Sequence, residues 1–437
     1  MDQPNRAMDI EFLRQSLRGA FRFILDYCAV GPAFDRIHGD LRCQLEGRNW
    51  SRVYIVAIGK AAVPMAAEFL GRFDIQSDAG VLSSPNWTEW AHPNFACFKG
   101  GHPAPNADSL RAAEAAKKIL GNATRDDLVV FLVSGGGSAC FELPLLETIC
   151  LDDLIELNQL LTERDLDIVE INTIRKHLSL VKGGRLAEMC QGACQVTLYV
   201  SDVPMGYESF VASGPSMPDS SSLSDMHDIL RKHEVGFCLP RSVNDAIGNG
   251  LVPETPKPGA PAFVRSSWFK LLDNADCVRA AVTFAKRAGW RPVVVEGVDD
   301  LHVEEATTIL LERLNSELAH TREVPLALIS GGELISPVRG KGKGGRNQAF
   351  VLECVERIAG REIAVLSAGT DGIDGNSLAT GALADGTTLE RSLDAGVDLV
   401  RCQAESDSAT FFAALGDNII TGATGTNVQD IRIILAK

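Results

Sequence analysis

Nothing in this chain of 437 residues approaches the run of ~20 apolar residues that a membrane-crossing helix needs. The N-terminal stretch MDQPNRAMDIEFLRQSLRGAFRFILDYCAV is an amphipathic helix pattern interrupted by Asp9, Glu11, Arg14 and Arg18. It lacks the apolar core of a signal peptide, and its acids weigh against a transit peptide. Positive charge is in short supply: 42 Lys and Arg stand against 57 Asp and Glu, a formal net charge of −15. That balance argues against broad binding to nucleic acid or to an anionic membrane surface. No C-x-x-C pair occurs among the eleven cysteines, and the eight histidines do not pair with cysteines at ligand spacing, which argues against dithiol-redox and zinc chemistry. An odd cysteine count without a secretory signal reads as reduced thiols in a cytoplasmic protein, mostly small buried hydrophobes. Missing too are the G-x-x-x-x-G-K-[ST] of a P-loop and the G-x-S-x-G nucleophile elbow. Gly340, Gly342 and Gly345 do spell G-x-G-x-x-G. The acid at about the right distance, Glu362, begins its expected strand rather than ending it, so the ribose contact of a dinucleotide fold fails.

Short apolar runs alternate with helix-period stretches. Strands are expected at Val53–Ile58, Gly80–Ser83, Leu128–Val133, Gln195–Val200, Pro292–Val295, Leu326–Ser330 and Glu362–Ser367. They are apolar on both faces, as strands covered by helices on both sides should be. Helices are expected at Ala61–Phe73, Ser109–Leu120, Leu151–Leu161, Ala275–Ala288, Val303–Ala319 and Ala349–Ile358. The alternation predicts α/β architecture: three-layer α/β/α domains with mostly parallel sheets. The proline-rich stretch Leu251–Pro261 reads as a stiff connector. It divides a first domain, 1–245, from a second, 255–437, with 411–437 free to pack on either.

The most pointed local signal is a basic loop in an acidic protein. Arg339, Lys341, Lys343 and Arg346 fall within eight residues with no acid among them, spaced by Gly340, Gly342, Gly344 and Gly345. Free backbone N–H groups and cations on such a loop form an anion-binding concavity, and a helix N-terminus expected near Gly345 adds partial positive charge. A phosphate is the simplest ligand; a solvated basic loop is the plain alternative. Other glycine loops follow expected strands, where open α/β sheets bind ligands. They are Gly59-Lys60, Ser134-Gly135-Gly136-Gly137-Ser138 and Ser330-Gly331-Gly332-Glu333, with Lys182-Gly183-Gly184-Arg185 after a helix-like run. Each alone is as good a turn as a site; together they suggest a multi-loop anion site. Asp371 and Asp374, in TDGIDG after a strand, suit Mg²⁺, a general base or plain Asp-Gly turns. Asp202 is a similar strand-end acid, with a turn or helix cap as the alternative. His102, before a proline, reads first as a turn residue.

Taken in order, AIGKAA (57–62), GGHPAPNADS (100–109), VSGGGSACFELP (133–144), INTIRKHLSLVKGGRLA (171–187), SDVP (201–204), ASGPSMPD (212–219), LISGGE (328–333), RGKGKGGRNQ (339–348), SAGTDGIDG (367–375) and TGATGTNVQD (421–430) resemble the glycerate 2-kinase family. These are two-domain proteins whose C-terminal region is called MOFRL, and the likeness covers nearly the whole chain. It implies two Rossmann-like α/β/α domains with the active site in the cleft between them. It also implies ATP-dependent phosphorylation of D-glycerate at the 2-hydroxyl, with Mg²⁺. Lys60 and Arg346 match the family's catalytic lysine and arginine, with Asp371 joining them. Ser134 to Ser138, Lys182, Gly183, Arg185, Gly331, Gly332, Glu333, Lys341, Lys343, Asn347 and Gln348 would bind glycerate or ATP. Asp202 and Asp374 would hold the metal, although which aspartate serves as base stays open. The chain departs from the pattern at Met205-Gly206-Tyr207-Glu208, where the family has a glycine followed by acids, and at Ala423, where it has proline. The remaining readings are a hydroxypyruvate reductase and a metabolite-binding homologue that has lost turnover. Partners are small molecules, and oligomeric state is left open, a homodimer among the options.

Overall fold

The computed structural model describes residues 3–45, 48–73, 75–87, 89–164, 166–204, 206–320 and 325–437. The chain divides into two units, one of residues 33–271 and one combining 1–32 with 272–437.

The first unit is built on a sheet of β1 (Val53–Ile58), β2 (Ala79–Ser83), β3 (Phe95–Phe98), β4 (Leu128–Ser134), β5 (Cys194–Val200) and β6 (Ser266–Leu272), ordered β3-β2-β1-β4-β5-β6. The pairs β2–β3, β1–β2, β1–β4 and β4–β5 are parallel. Every residue of β1, β4 and β5 is buried, which is what two-sided helix cover requires and why these runs show no polar alternation. The first flanking helices, Ala62–Arg72 and Ala107–Leu120, lie close to their expected spans. The second begins two residues earlier than expected because Asn106 caps it. The Asn106 side chain accepts from the Ser109 N–H at 2.9 Å, and Ser109 Oγ accepts from the Asn106 N–H at 3.1 Å, a reciprocal capping box. β3, only four residues long, and β6, interrupted by Lys270, are both partly exposed and were not legible as strands.

The proline-rich stretch lies inside this unit rather than between units. It is pinned by Glu254, which accepts from the Leu223 N–H at 3.0 Å and from His177 Nε2 at 2.9 Å, and pairs with Lys257 at 2.7 Å. Burial opposes the Glu254 charge, but these donors outweigh it and bring the carboxyl down from about 4.5 to about 2. A depressed carboxylate contributes stability that is present above its unfolded value and lost as pH falls through the folded one. Glu254→Gln is therefore expected to flatten the fall in Tm between pH ~4.5 and ~2. Scanning calorimetry across that range checks it; parallel acid limbs in the two proteins would remove Glu254 from the linkage.

The second unit carries β7 (Arg291–Val294), β8 (Leu326–Gly331), β9 (Ile363–Gly369), β10 (Gly381–Asp385), β11 (Asn418–Ile419) and β12 (Asp430–Ala436), ordered β11-β10-β9-β12-β8-β7. Only β7–β8 is parallel; β8–β12, β12–β9, β9–β10 and β10–β11 are antiparallel. The expectation of mostly parallel sheets thus holds for the first sheet and not for this one. For β9–β10 the cause is connection length. Residues 370–380 join β9 to β10 without a helix, and a parallel neighbour needs a longer crossover. Residues 411–437 belong here: β12 is central, between β9 and β8. Its run DIRIILA is broken by Arg432, yet Arg432 is 1% exposed. Its guanidinium donates to the carbonyls of Gly332, at 3.0 Å, and Gly331, so a charge is tolerated inside a strand.

The N-terminal helix Gln3–Tyr27 also joins this unit, not the one it precedes. Leu13, Leu17, Phe21 and Ile24 form its buried stripe. Phe12 stacks on Trp290 at 6.2 Å, Phe23 packs on Phe284 at 5.9 Å, and Arg14 pairs with Asp385 and Asp417. The stripe is plain from its helical spacing; which sheet it covers is a tertiary matter.

Candidate active site

In the first unit, strand order reverses between β1 and β4, the switch point where open α/β sheets take ligands at the carboxyl ends of their strands. Gly59-Lys60 follows β1, Gly135–Gly137 follows β4, and Asp202 lies just past β5. Gly59 has φ +108°, and a Cβ there would stand 2.3 Å from the Ser134 carbonyl, so only glycine fits. The Lys60 N–H donates to the Gly135 carbonyl at 2.8 Å. Ser134 Oγ accepts from the Ala61 N–H at 3.0 Å and donates to the Ile58 carbonyl at 3.1 Å. That hydroxyl ties two strand ends together instead of facing a ligand. A Cβ on Gly135 would overlap the Asp202 carboxylate, and one on Gly136 would sit 3.1 Å from both Lys60 Cγ and the His102 ring. The glycines are a floor, with Lys60, His102 and Asp202 around it. Sequence reasoning had Lys60, Asp202 and the loop; His102 joins them through space. Ser138 shares a hydrogen bond of 2.8 Å with Ser213.

The expected anion-binding loop at 182–185 faces inward. Lys182 is 1% exposed and paired with Glu142, whose other oxygen accepts from Ser179 Oγ at 2.6 Å. Burial pushes the Lys182 amine below its usual range, against the opposing pull of Glu142. Gly183 N–H donates to the Ser213 carbonyl at 3.0 Å, and Arg185, 7% exposed, donates to the Pro253 carbonyl at 3.1 Å. This loop is an internal joint. A second buried pair beside it, Lys176 with Asp219 at 3.1 Å, was not foreseen either. Downstream of Asp202, Glu208 Oε1 accepts from the Gly206 N–H at 3.0 Å, a local turn; Met205 lies outside the described residues.

In the second unit Arg346 is the first residue of the helix Arg346–Ile358. Its Nε donates to Asp430 Oδ2 at 2.5 Å and its Nη2 pairs with Glu333 Oε1 at 2.7 Å; Nη1 makes no hydrogen bond among the described residues. Burial works against its charge, yet Asp430 and Glu333 raise its pKa above the ordinary arginine value. A Cβ on Gly369 would approach Asp430 Oδ1 at 3.2 Å and Asp371 Oδ1 at 3.4 Å, so Asp371 stands next to this pair. Asp430 was legible only as part of a motif. Neighbouring Gly332 leaves no room for a side chain, since a Cβ would overlap Asp299.

Asp374 is buried, with its carboxylate turned into the fold. Its oxygens accept from the backbone N–H groups of Asn347, at 3.0 Å, and Gln348, at 2.8 Å, so it caps the Arg346 helix. Burial outweighs those bonds and pushes its carboxyl up to about 7. Asn347 and Gln348 are buried: Asn347 Oδ1 accepts from Ser367 Oγ and Gln348 Nε2 donates to Asn418 Oδ1, at 2.6 Å each, while Gln348 Oε1 has no partner among the described residues. Gly345 packs on Asp374, where a Cβ would fall 2.2 Å from Oδ1. Asp374→Ala is expected to cost about 2 kcal/mol, the upper end for a lost cap, and to lower activity by unseating Arg346. Urea melts and initial rates check it; a destabilised variant with full activity would show that helix placement does not matter to Arg346.

The basic loop is anchored rather than free. Its N–H groups are taken at Arg339 by Ser406 Oγ (2.9 Å), at Gly342 by the Glu405 carbonyl (3.0 Å), at Lys343 by Asp407 (2.9 Å) and at Gly344 by Asn376 (2.8 Å). These four N–H groups are therefore not open donors, while the side chains of Lys341 and Lys343 stay exposed. Among the described residues no group of three or more His, Cys, Asp or Glu is placed to hold a metal. Mg²⁺ does not need one, because it binds through one or two carboxylates with phosphate oxygens and water.

Residues 19–248 match the family model of a domain of unknown function, DUF4147, and residues 326–430 match the MOFRL family. The chain is 34% identical over 390 residues to a glycerate 2-kinase of Pyrococcus horikoshii, covering 88% of this chain and 87% of that one. It is 35% identical over 392 residues to a D-glycerate 2-kinase of Thermotoga maritima, covering 88% and 91%. A protein of Agrobacterium vitis that carries a hydroxypyruvate reductase name is 34% identical, covering 96% and 94%. The crystal structure of a glycerate kinase from Thermotoga maritima superposes with a TM-score of 0.86 at 32% identity, covering 98% of this chain and all of that one. With both family models in sequence order and the conserved-fold partner spanning its length, this chain belongs to the glycerate 2-kinase family.

Proposed function

We propose that the protein transfers the γ-phosphoryl group of ATP to the 2-hydroxyl of D-glycerate, giving 2-phosphoglycerate and ADP. The observation that carries this reading is Arg346, a helix-N-terminal guanidinium gripped by two carboxylates and left with Nη1 to offer. Phosphoryl transfer asks the protein for positioning and charge stabilisation more than for covalent chemistry. A guanidinium held in one orientation supplies both, without reorganising during the reaction. A new bond forms between the glycerate oxygen and phosphorus as the bond to the ADP oxygen breaks, and the hydroxyl proton passes to a carboxylate. Asp371, beside Asp430, is the acceptor this reading assigns.

Lys60 would neutralise donor phosphate oxygens over the Gly135–Gly137 floor. Mg²⁺ bound to those phosphates would supply further charge neutralisation, with Asp202 as its carboxylate. Asp374, Asn347, Gln348, Lys182, Gly183 and Arg185 are assigned to the scaffold. Ser134 goes with them, while Lys341 and Lys343 remain for attracting anions. A reductase reading has less support: G-x-G-x-x-G at 340–345 is not in a strand-to-helix turn, since residues 332–345 separate β8 from the helix.

The test supplies ATP, Mg²⁺ and D-glycerate and couples product to enolase and pyruvate kinase without phosphoglycerate mutase. Signal requires 2-phosphoglycerate. ADP release without signal would move the phosphoryl group to another position or acceptor. No ADP, with NADH oxidised by hydroxypyruvate, would replace the kinase with the reductase.

A further inference from the structure

Between β2 and β3 the first unit holds an open pocket of about 680 Å³ lined by Trp87, Glu89, Trp90 and Lys99. Its indoles are fixed in place. Trp87 Nε1 donates to the Trp90 carbonyl at 3.1 Å. The Trp90 ring meets Phe95 edge-on at 5.5 Å and lies parallel to His92 at 6.4 Å. Neither tryptophan is fully buried, and Glu89 and Lys99 are exposed. Rigid indole faces beside one cation and one carboxylate suit a flat aromatic ring carrying hydroxyls and negative charge.

The two chain segments that carry the pocket both run to the Lys60 floor. On one side the Ser83 carbonyl accepts from the Gly59 N–H at 3.0 Å, and the Trp87 N–H returns to the Ser84 carbonyl at 3.3 Å. On the other, Lys99 leads through Gly100 and Gly101 to His102, whose ring borders Gly136. We infer that Trp87 and Trp90 form the stacking platform for the purine of the nucleotide donor, with Lys99 toward its phosphates and Glu89 toward its ribose hydroxyls. The inference rests on the kinase reading above and adds where the nucleoside half is held.

The experiment compares wild type with Trp87→Leu, Trp90→Leu and Trp90→Phe. ADP affinity is read by calorimetry, and KM for ATP and for D-glycerate by the coupled assay. Inorganic tripolyphosphate serves as a competitor that has phosphates but no base. Loss of base stacking is expected to weaken ADP about 5- to 150-fold and to raise KM for ATP in parallel. KM for D-glycerate and inhibition by tripolyphosphate should stay as in wild type, and Trp90→Phe should recover part of the loss. ADP should also quench wild-type tryptophan fluorescence more than that of either leucine variant. Unchanged ADP affinity in both leucine variants of an active enzyme overturns the platform alone. Equal weakening of ADP, tripolyphosphate and glycerate also overturns it, by making the indoles structural. A wild type that neither binds ADP nor phosphorylates glycerate overturns the kinase reading with it.

Discussion

Arg346→Lys should lower kcat/KM by about 10²–10³-fold, the loss seen when one main electrostatic stabiliser is removed, while the protein stays folded. Charge is retained, so a loss of that size reports geometry. Lysine offers a point charge on a flexible stem and cannot hold Asp430 and Glu333 while presenting a third nitrogen to the moving phosphoryl group. Asp430 is 2% exposed and would keep a cation nearby, which is why collapse is not expected. A thermal melt beside the rate measurement separates the two effects. Turnover within a few-fold of wild type would take Arg346 out of the mechanism, and a large fall in Tm would make the rate uninformative about catalysis. In that second case Glu333→Gln becomes the sharper probe, because it loosens the guanidinium without removing it.

Glu142→Ala should cost about 3–5 kcal/mol, the range for stranding one member of a buried ion pair. Lys182 would be left 1% exposed with no counter-charge, and Ser179 Oγ would lose its shorter acceptor and keep only the Leu143 carbonyl at 3.3 Å. Against a total of about 5–15 kcal/mol for ordinary domains, that is a large share. The double variant Glu142→Leu with Lys182→Met removes both charges, and replacement of such pairs by apolar groups is often neutral. It should recover most of the stability and most of the activity, as follows if Lys182 is scaffold. Urea denaturation and the coupled assay read both. A double variant as stable as wild type but weak for ATP or glycerate would return Lys182 to the ligand-contacting set.

Individual residues show how far sequence reasoning reached. The β1, β4 and β5 runs are apolar because helices cover both faces, and their spacing made them readable. Lys60 and Arg346 stood out as cations next to glycines at element boundaries. The same cue also selected Lys182 and Arg185, whose charges turn inward to Glu142 and to a backbone carbonyl. Adjacency to glycine reports a bend in the chain and not the side on which the charge emerges. Asp374 illustrates the same limit: D-G after a strand suits a metal, a base or a turn. Its two backbone bonds to residues 347 and 348, far away in sequence, made it a helix cap.

By itself, then, the sequence determined the α/β alternation, the family and the places where the chain turns at strand ends. Those depend on local periodicity and on residue types that only certain backbone conformations accept. The tertiary structure alone decided the mixed second sheet, the N-terminal helix packing on the C-terminal unit, and which of the glycine-adjacent cations turn inward to a buried partner. Each of these turns on which distant segment supplies the opposite charge, the covering face or the neighbouring strand, and no local pattern encodes the identity of that partner.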